Sequence, residues 1–373
     1  MVRLNYAQIP LGPLFSKGEF LQIPSLEKHV LSIVEGRGKG RFFQYKQRAC
    51  SLILLLLLFS PSHVFSASAP RNEQLKIGYA SITGNRIPLW AAQDKGFFSR
   101  NGLQPELVFI ASSAAGIPAL IAGETALYSG SPETGAQAAA GGADLVIIAS
   151  NEPTQYKLIV QPHIKSVQEL KGKRIGIDRI GGSSHYATRR MLEKLGLKAS
   201  DVEFLSIAGG GAERVVAFRS GIFSAVASTI ERFERAKVPY HYLGDAVEMG
   251  IRVIGSSFMT TRRFRDQNRD VLQKFVRAAI ETAHWIKDPK NRADVIRIYG
   301  RYLRTQDSSV LELNYKLYID PMPLFPYTNV DDLQANLAAL AESNPKLRDF
   351  NMAEFVDNSF VRRVQQEGVG QAR

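Results

Sequence analysis

LKGKRIGIDRIGGSSHYATRRMLEKLGL, residues 170–197, is the stretch on which the fold turns. Lys173 to Asp178 reads as a short strand, with Ile175 and Ile177 as its apolar pair. Gly181 and Gly182 break it, and Ser184 to Leu195 reads as a helix. Strand, glycine turn and helix in that order make half of a βαβ unit, which Val202 to Ile207 completes. Ser166 with Glu169 forms a capping box just before it, so the unit starts cleanly.

The same alternation extends both ways. Downstream, Gly209 to Ser220 contains a helix, and Phe223 to Ser228 and Tyr240 to Leu243 are strands. Upstream, Leu75 to Tyr79 is a strand whose polar loop, Ser81 to Arg86, leads into a helix with Pro88 at an early position. Glu106 to Ile110, Ala126 to Ser129 and Leu145 to Ala149 are further strands, with a helix over Ile117 to Ala122. From Asp270 onward the spacing of Val271, Phe275, Ala278, Ala279 and Thr282 through Trp285 is that of an amphipathic helix, with Trp285 expected in the core. Pro321, Pro323 and Pro326 interrupt the tail before helices near Val330 to Ser343 and Met352 to Gln366.

Tyr156 to Val160 and Ile251 to Ser257 read as strands flanking the middle set. If both are crossings, the chain is an α/β protein with two doubly wound lobes: residues 72–157 plus 255–370 form lobe one, and 161–250 form lobe two. A doubly linked pair of such lobes is the architecture of hinge-closing binding proteins.

With 373 residues, 45% of them hydrophobic, the chain can bury a large core, and 22% charged residues is ordinary for a globular protein. The net charge of +12 suggests nucleic acid until it is divided. Residues 1–69 hold 8 of the basic and 3 of the acidic residues, leaving 39 against 32 for the rest. That remainder mixes both signs on helical faces, as at Arg189, Arg190, Glu193 and Lys194, so no nucleic-acid partner is expected. The single cysteine, Cys50, rules out disulfides and thiolate chemistry downstream of it.

Lys39, Arg41, Lys46 and Arg48 precede the apolar run Leu52 to Phe59, which is followed by Pro61 and by Ser66, Ala67, Ser68 and Ala69. This is the order of a secretory signal, expected over residues 41–69, with an apolar core of about 12 residues against the roughly 20 of a spanning helix. Cleavage is expected between Phe65 and Pro70, and hence a periplasmic location. Residues 1–40 are an unusually long prelude: either translation begins near Val30 or Val34, or the extension is genuine. Cys50 stands before the leucines, which argues against a lipoprotein anchor.

In open α/β sheets the ligand crevice lies beyond the carboxyl ends of the strands. The loops that follow strands here are rich in glycine and small hydroxyl residues: Ser81 to Asn85, Ser112 and Ser113, Ser129 to Thr134, Gly181 to His185, Gly209 to Gly211, and Ser228 with Thr229. Amide groups at the helix start near Gly182, Ser183 and Ser184 suit an anionic oxygen. The plainer alternative is a serine N-cap after a glycine turn.

Residues 75–98 (LKIGYASITGNRIPLWAAQDKGFF), 122–132 (AGETALYSGSP), 170–197 and 210–228 (GGAERVVAFRSGIFSAVAS) together resemble the NitT/TauT-type substrate-binding proteins of ABC importers, the aliphatic sulfonate, taurine, nitrate and thiamine-pyrimidine group. The resemblance covers nearly all of residues 73–287 and implies a type II periplasmic-binding-protein fold with a small polar, anionic ligand between the lobes. Carried over by position, it implies ligand contacts from Ser81, Thr83 and Asn85; Ser112 and Ser113; Ser131, Glu133 and Thr134; Gly182, Ser183, Ser184 and His185; and Ser228 and Thr229. It also implies a monomer that delivers its ligand to a membrane permease and its ATPase, without cofactor or metal. Ala126, Leu127, Ser224 and the turn Ser228-Thr229-Ile230 depart from the residues common in the group, which leaves the ligand open.

Two other readings compete. An enzyme on the same fold, acting on a small carboxylate or pyrimidine, would need catalytic groups, and HExxH, GxSxG and a cysteine nucleophile are missing. Of His29, His63, His163, His185, His241 and His284 only His185 stands in a predicted binding loop, so no metal site is expected either. A sensory lobe of a receptor would need a membrane helix or signalling domain downstream, and none is read there.

Overall fold

The computed structural model describes residues 75–370 apart from 152, 153, 208, 210 and 343. The extension and signal expected over residues 1–69 lie outside the described residues.

Short strands alternate with helices: β1 (Lys76–Tyr79), α1 (Ile87–Asp94), β2 (Glu106–Phe109), α2 (Ser113–Ile121), β3 (Leu127–Gly130), α3 (Pro132–Ala140) and β4 (Leu145–Ser150). The second set runs β5 (Lys157–Val160), β6 (Arg174–Ile177), α4 (Ser183–Lys194), β7 (Glu203–Ser206), α5 (Ala212–Arg219), β8 (Ala225–Ser228), α6 (Glu231–Ala236) and β9 (His241–Asp245). β10 (Ser257–Thr261) is followed by α7 (Arg269–Lys287), α8 (Arg292–Leu303), α9 (Ser308–Tyr318), α10 (Val330–Leu340) and α11 (Ser359–Gln366).

The strands form two five-stranded sheets, ordered β2-β1-β3-β10-β4 and β7-β6-β8-β5-β9. β1 is parallel to β2 and β3, and β6 to β7 and β8. β10 runs antiparallel between β3 and β4, and β5 antiparallel between β8 and β9. The two sheets therefore repeat one pattern, in which the antiparallel strand is the one that has just arrived from the other sheet.

The chain passes from the first sheet to the second between β4 and β5 and returns between β9 and β10. Here the structure corrects the strand expected over Ile251 to Ser257: the ladder begins only at Ser257. Ile251, Val253 and Ile254 are buried, which accounts for their strand-like pattern. Their backbone instead meets the other crossing through single bonds, Thr154 N to Val253 O at 2.9 Å and Asn151 N to Ser256 O at 3.0 Å. The apolar alternation recorded burial between two connectors, not pairing in a sheet.

α7 covers the first sheet. Leu272, Phe275, Val276, Ile280 and Ala283, spaced for one helical face, are buried, and Phe275 meets Phe258 of β10 with ring centroids 5.0 Å apart. Burying a Leu, Phe, Val or Ile side chain of this kind contributes on the order of 1.5–3 kcal/mol. Trp285 is only partly buried, at the edge of this core, with Lys95 over its ring at 5.1 Å. In the second sheet Phe218, Phe223 and Phe233 fill one face, and Met191 and Leu192 of α4 bury the other side of the unit. Ser166 and Glu169 do form the expected capping box.

Candidate functional site

The carboxyl ends of β1, β2, β3, β6, β7 and β8 point their loops at a cleft of about 80 Å³ between the two sheets. Its walls are Ser81, Asn85, Ser112, Ser113 and Ser131 from the first sheet's loops, and Asp178, Ser183 and Gly209 from the second's. Thr154, Tyr156 and Ile254 to Ser256 from the two crossings close its back. Three guanidinium groups complete it: Arg86, Arg214 and Arg232, against Asp178 as the one lining carboxylate among the described residues.

Arg86 follows the β1 loop and is 2% exposed. Its Nη1 donates to Ser129 Oγ at 2.5 Å, and its Nη2 to Ser81 Oγ at 3.2 Å and Ser256 Oγ at 2.8 Å. One side chain thus ties the β1 loop, the end of β3 and the return crossing together. Ser81, Thr83 and Asn85 form a chain of their own, Ser81 Oγ 3.0 Å from Thr83 Oγ1 and Thr83 Oγ1 donating to Asn85 Oδ1 at 2.7 Å. Thr83 is buried by this chain and does not line the cleft.

Ser112 takes φ 70°, in the left-handed region that a Cβ disfavours. The Tyr128 hydroxyl donates to its carbonyl at 2.8 Å, which holds the strained residue at the cleft wall. Ser113 Oγ accepts the Ser131 amide at 2.8 Å, coupling the second and third loops.

Arg214, on the first turn of α5, is 7% exposed. Its Nη1 donates to Ile207 O at 3.3 Å, while its Nε is buried without a hydrogen-bond partner. Burial pulls the guanidinium below its ordinary pKa, opposed by the nearby charge of Asp178. Arg232 lies with Nε 3.8 Å from Glu231 Oε1, and that Nε too has no hydrogen bond. Two guanidinium groups thus stand at the cleft with donors unused, which a buried site tolerates at a cost.

The helix-start loop departs from expectation. Gly181 has φ 76°, and a Cβ there would meet the Gln137 side chain at 2.6 Å, so glycine is required. The N-cap of α4 is Gly182, without a side-chain cap, so Ser184 does not cap the helix. Instead Ser184 Oγ accepts the Asp178 amide at 2.9 Å and donates to the Asp178 carboxylate, pinning the strand end. His185 is turned away from the cleft: its Nδ1 accepts the Gly181 amide at 2.9 Å and its ring stands edge-on to Phe204 at 4.7 Å. Burial, and next the charge of Arg189, lower its pKa to about 4.

Of the sequence-selected residues, Ser81, Asn85, Ser112, Ser113, Ser131 and Ser183 line the cleft. Thr83, Glu133, Thr134, Gly182, Ser184, His185, Ser228 and Thr229 do not. Ser228 Oγ donates to Thr229 O at 3.3 Å and Thr229 Oγ1 to Glu231 Oε1 at 2.7 Å, so that turn serves α6 rather than the cleft. Glu133 is fully buried; burial raises its pKa while bonds from Ser183, Ser131 and Asn336 oppose the rise. Arg214 and Arg232 were missed by sequence reasoning, although both stand just past loops that had been selected. Among the described residues no group of three or more His, Cys, Asp or Glu is placed to hold a metal ion, and no helix is long and apolar enough to cross a membrane.

The model of the family described as NMT1/THI5 like matches residues 83–292, more than half of the chain and nearly all of the cleft-bearing loops. The chain belongs to the NMT1/THI5-like family. This NMT1/THI5-like chain is 29% identical over 163 residues to a protein of Brucella abortus (strain 2308) named as a binding protein, across 43% of this chain and 49% of that one. It spans about half the length of the curated relatives it matches. Among solved structures it is similar to the periplasmic aliphatic sulphonate binding protein SsuA of Escherichia coli, with TM-score 0.60 and 20% identity over 76% of this chain and 91% of that one. It is also similar to the periplasmic nitrate-binding protein NrtA of Synechocystis PCC 6803, with TM-score 0.63 and 13% identity over 79% and 88% of the two chains. These likenesses show the periplasmic-binding-protein fold.

Proposed function

We propose that the protein is the exported solute-binding component of an ABC importer, which captures a small anionic organic ligand, sulfonate-like in its charged group, by closing lobe one (72–157 plus 255–370) on lobe two (161–250). The observation that carries this reading is the convergence of Arg86, from the first sheet, with Arg214 and Arg232, from the second, on one hydroxyl-lined cleft. Guanidinium forks match the planar pairs of oxygens on sulfonates and carboxylates, and Ser81, Ser112 and Ser113 offer hydroxyls beside them. An anion bound here contacts both lobes at once, so it stabilises the closed state more than the open one. The sulfonate- and nitrate-binding neighbours take anions in the same fold.

Binding is favoured over catalysis because the cleft lacks an assembled nucleophile and base. His185 is committed to the Gly181 amide, and the Asp178 carboxylate to Ser184. In this reading the partners are a membrane permease and its ATPase, the protein works as a monomer, and export is through a cleaved signal. Amino-terminal sequencing of exported protein should then begin between Phe65 and Pro70.

The direct test is a thermal-shift screen with ethanesulfonate, taurine, nitrate, benzoate and a neutral pyrimidine. A binder at 100 times its dissociation constant adds about 2.7 kcal/mol of stability. Anions should shift the melt and the pyrimidine should not; a shift confined to the neutral compound would overturn the anionic reading. Recovery of a chemically altered ligand after incubation would favour the enzyme.

A further inference from the structure

Glu133 and Ser183 were both selected as ligand contacts, yet their side chains meet each other. Glu133, in the first turn of α3, is 0% exposed. Its Oε2 accepts from Ser131 at 2.8 Å and from Ser183, across the cleft, at 2.5 Å; its Oε1 accepts from Asn336 of α10 at 3.1 Å. Two of the three donors are fixed on the first sheet's side, and only Ser183 comes from the second. Beside it, Gln137 Nε2 of α3 donates to Gly181 O at 2.5 Å. The carboxylate therefore takes two donors from the first sheet's side and its third from the second's.

Another buried bond to a carboxylate crosses between the two sides, the Tyr318 hydroxyl donating to Glu231 Oε1 at 2.9 Å, and Ser183 Oγ also lies 3.0 Å from Ser131 Oγ; the ion pairs are more exposed. Arg189 pairs with Glu342, whose side chain is 73% exposed, and Arg252 of the return crossing pairs with Asp332, the arginine side chain being 60% exposed. Pairs of that kind contribute little. A hydrogen bond to a buried carboxylate contributes far more, because the charge cannot recover its solvation elsewhere.

We propose that Glu133 is a positioning residue that latches the lobes: the Glu133–Ser183 bond holds a measurable closed population even without ligand and thereby sets how slowly ligand leaves. This rests on the hinge-closing reading above. The latch acts through closure and not by touching the ligand, since Glu133 does not line the cleft.

The test measures the distance between spin labels at Ile121→Cys and Val216→Cys, two exposed positions on α2 and α5, in a Cys50→Ser background. Without ligand, the parent chain should show a closed and an open distance, and Glu133→Gln should lower the closed-to-open ratio by roughly tenfold, the size expected for one charged hydrogen bond. Ser183→Ala removes the same bond from the other side, together with the Ser183–Ser131 bond at 3.0 Å, and should lower the ratio at least as far, so a poorly folding Glu133 variant does not decide the matter. In the double variant the loss should not exceed that of Ser183→Ala alone. A parent chain found only open without ligand, or variants with unchanged ratios, would overturn the latch. If the distance stays single and is unmoved by saturating ethanesulfonate in every variant while that anion still binds, the hinge reading itself falls; if ethanesulfonate closes parent and Glu133→Gln alike and their unliganded ratios match, only the latch falls.

Discussion

Arg214 offers the sharpest separation of a binding group from a structural one, through the substitution Arg214→Met. The side chain is 7% exposed, donates to Ile207 O at a long 3.3 Å, and keeps Nε without a partner. In the unliganded protein it is a cation out of water with few compensating bonds, and methionine, which fills similar space, relieves that cost. Asp178 loses a neighbouring charge but retains both Ser184 bonds. The unliganded variant should therefore be as stable as the parent or more so.

Affinity should move the other way. Truncating one partner of a buried charge pair costs about 2–5 kcal/mol, which is roughly 30- to 4000-fold in dissociation constant. Titration calorimetry with the anion that gives the largest thermal shift, beside urea unfolding of the unliganded protein, reads both quantities on one preparation. A variant that unfolds earlier yet binds as tightly would refute the reasoning, because it would make Arg214 a strut of the β7 loop and not a ligand group.

His185 carries a pH signature: burial holds its pKa at about 4 against an ordinary 6.5, so the unfolded chain takes up a proton in that window and the folded chain does not. Its contribution is whole above pH 6.5 and falls by up to about 3 kcal/mol as pH drops toward 4; urea midpoints at pH 7.5 and 4.5 should converge on each other in His185→Gln. The Lys157–Asp245 ion pair joins β5 to β9, with side chains only 12% and 8% exposed. Asp245→Asn leaves a buried ammonium and should cost about 3–5 kcal/mol by urea unfolding, with the Lys157→Met, Asp245→Leu double variant closer to the parent. Ser184→Ala frees the Asp178 carboxylate and should lower stability by about 1.5–3 kcal/mol; a loss near 1 kcal/mol would match a simple cap instead.

Much of the fold was legible because its strands are short, buried and separated by glycine-rich loops. Leu75 to Tyr79, Glu106 to Ile110 and Lys173 to Asp178 each fall within a residue of the observed bounds. Ile251 to Ser257 misled because Gly250 and the buried Ile251, Val253 and Ile254 mimic a strand end in a connector packed on both sides. Burial alone produces that pattern, and the pairing partner that distinguishes a strand is not a local property.

The site divides along the same line. Loops following parallel strands converge wherever the sheet topology places them, so a hydroxyl residue there has a fair chance of reaching the cleft, as Ser81, Ser112 and Ser183 do. Direction within the loop is set by bonds that no spacing records. Ser184 turns back to Asp178, His185 to Gly181 and Thr229 to Glu231, each satisfying a group of its own loop. Arg214 and Arg232 carry the opposite lesson. On a chain with 47 basic residues an arginine one turn into a helix resembles any solvated charge, and only the packing of the loops around the cleft sets these two at its wall with donors unused. A cation becomes informative when it is buried, and burial at this cleft is decided by loops and crossings far apart in the sequence.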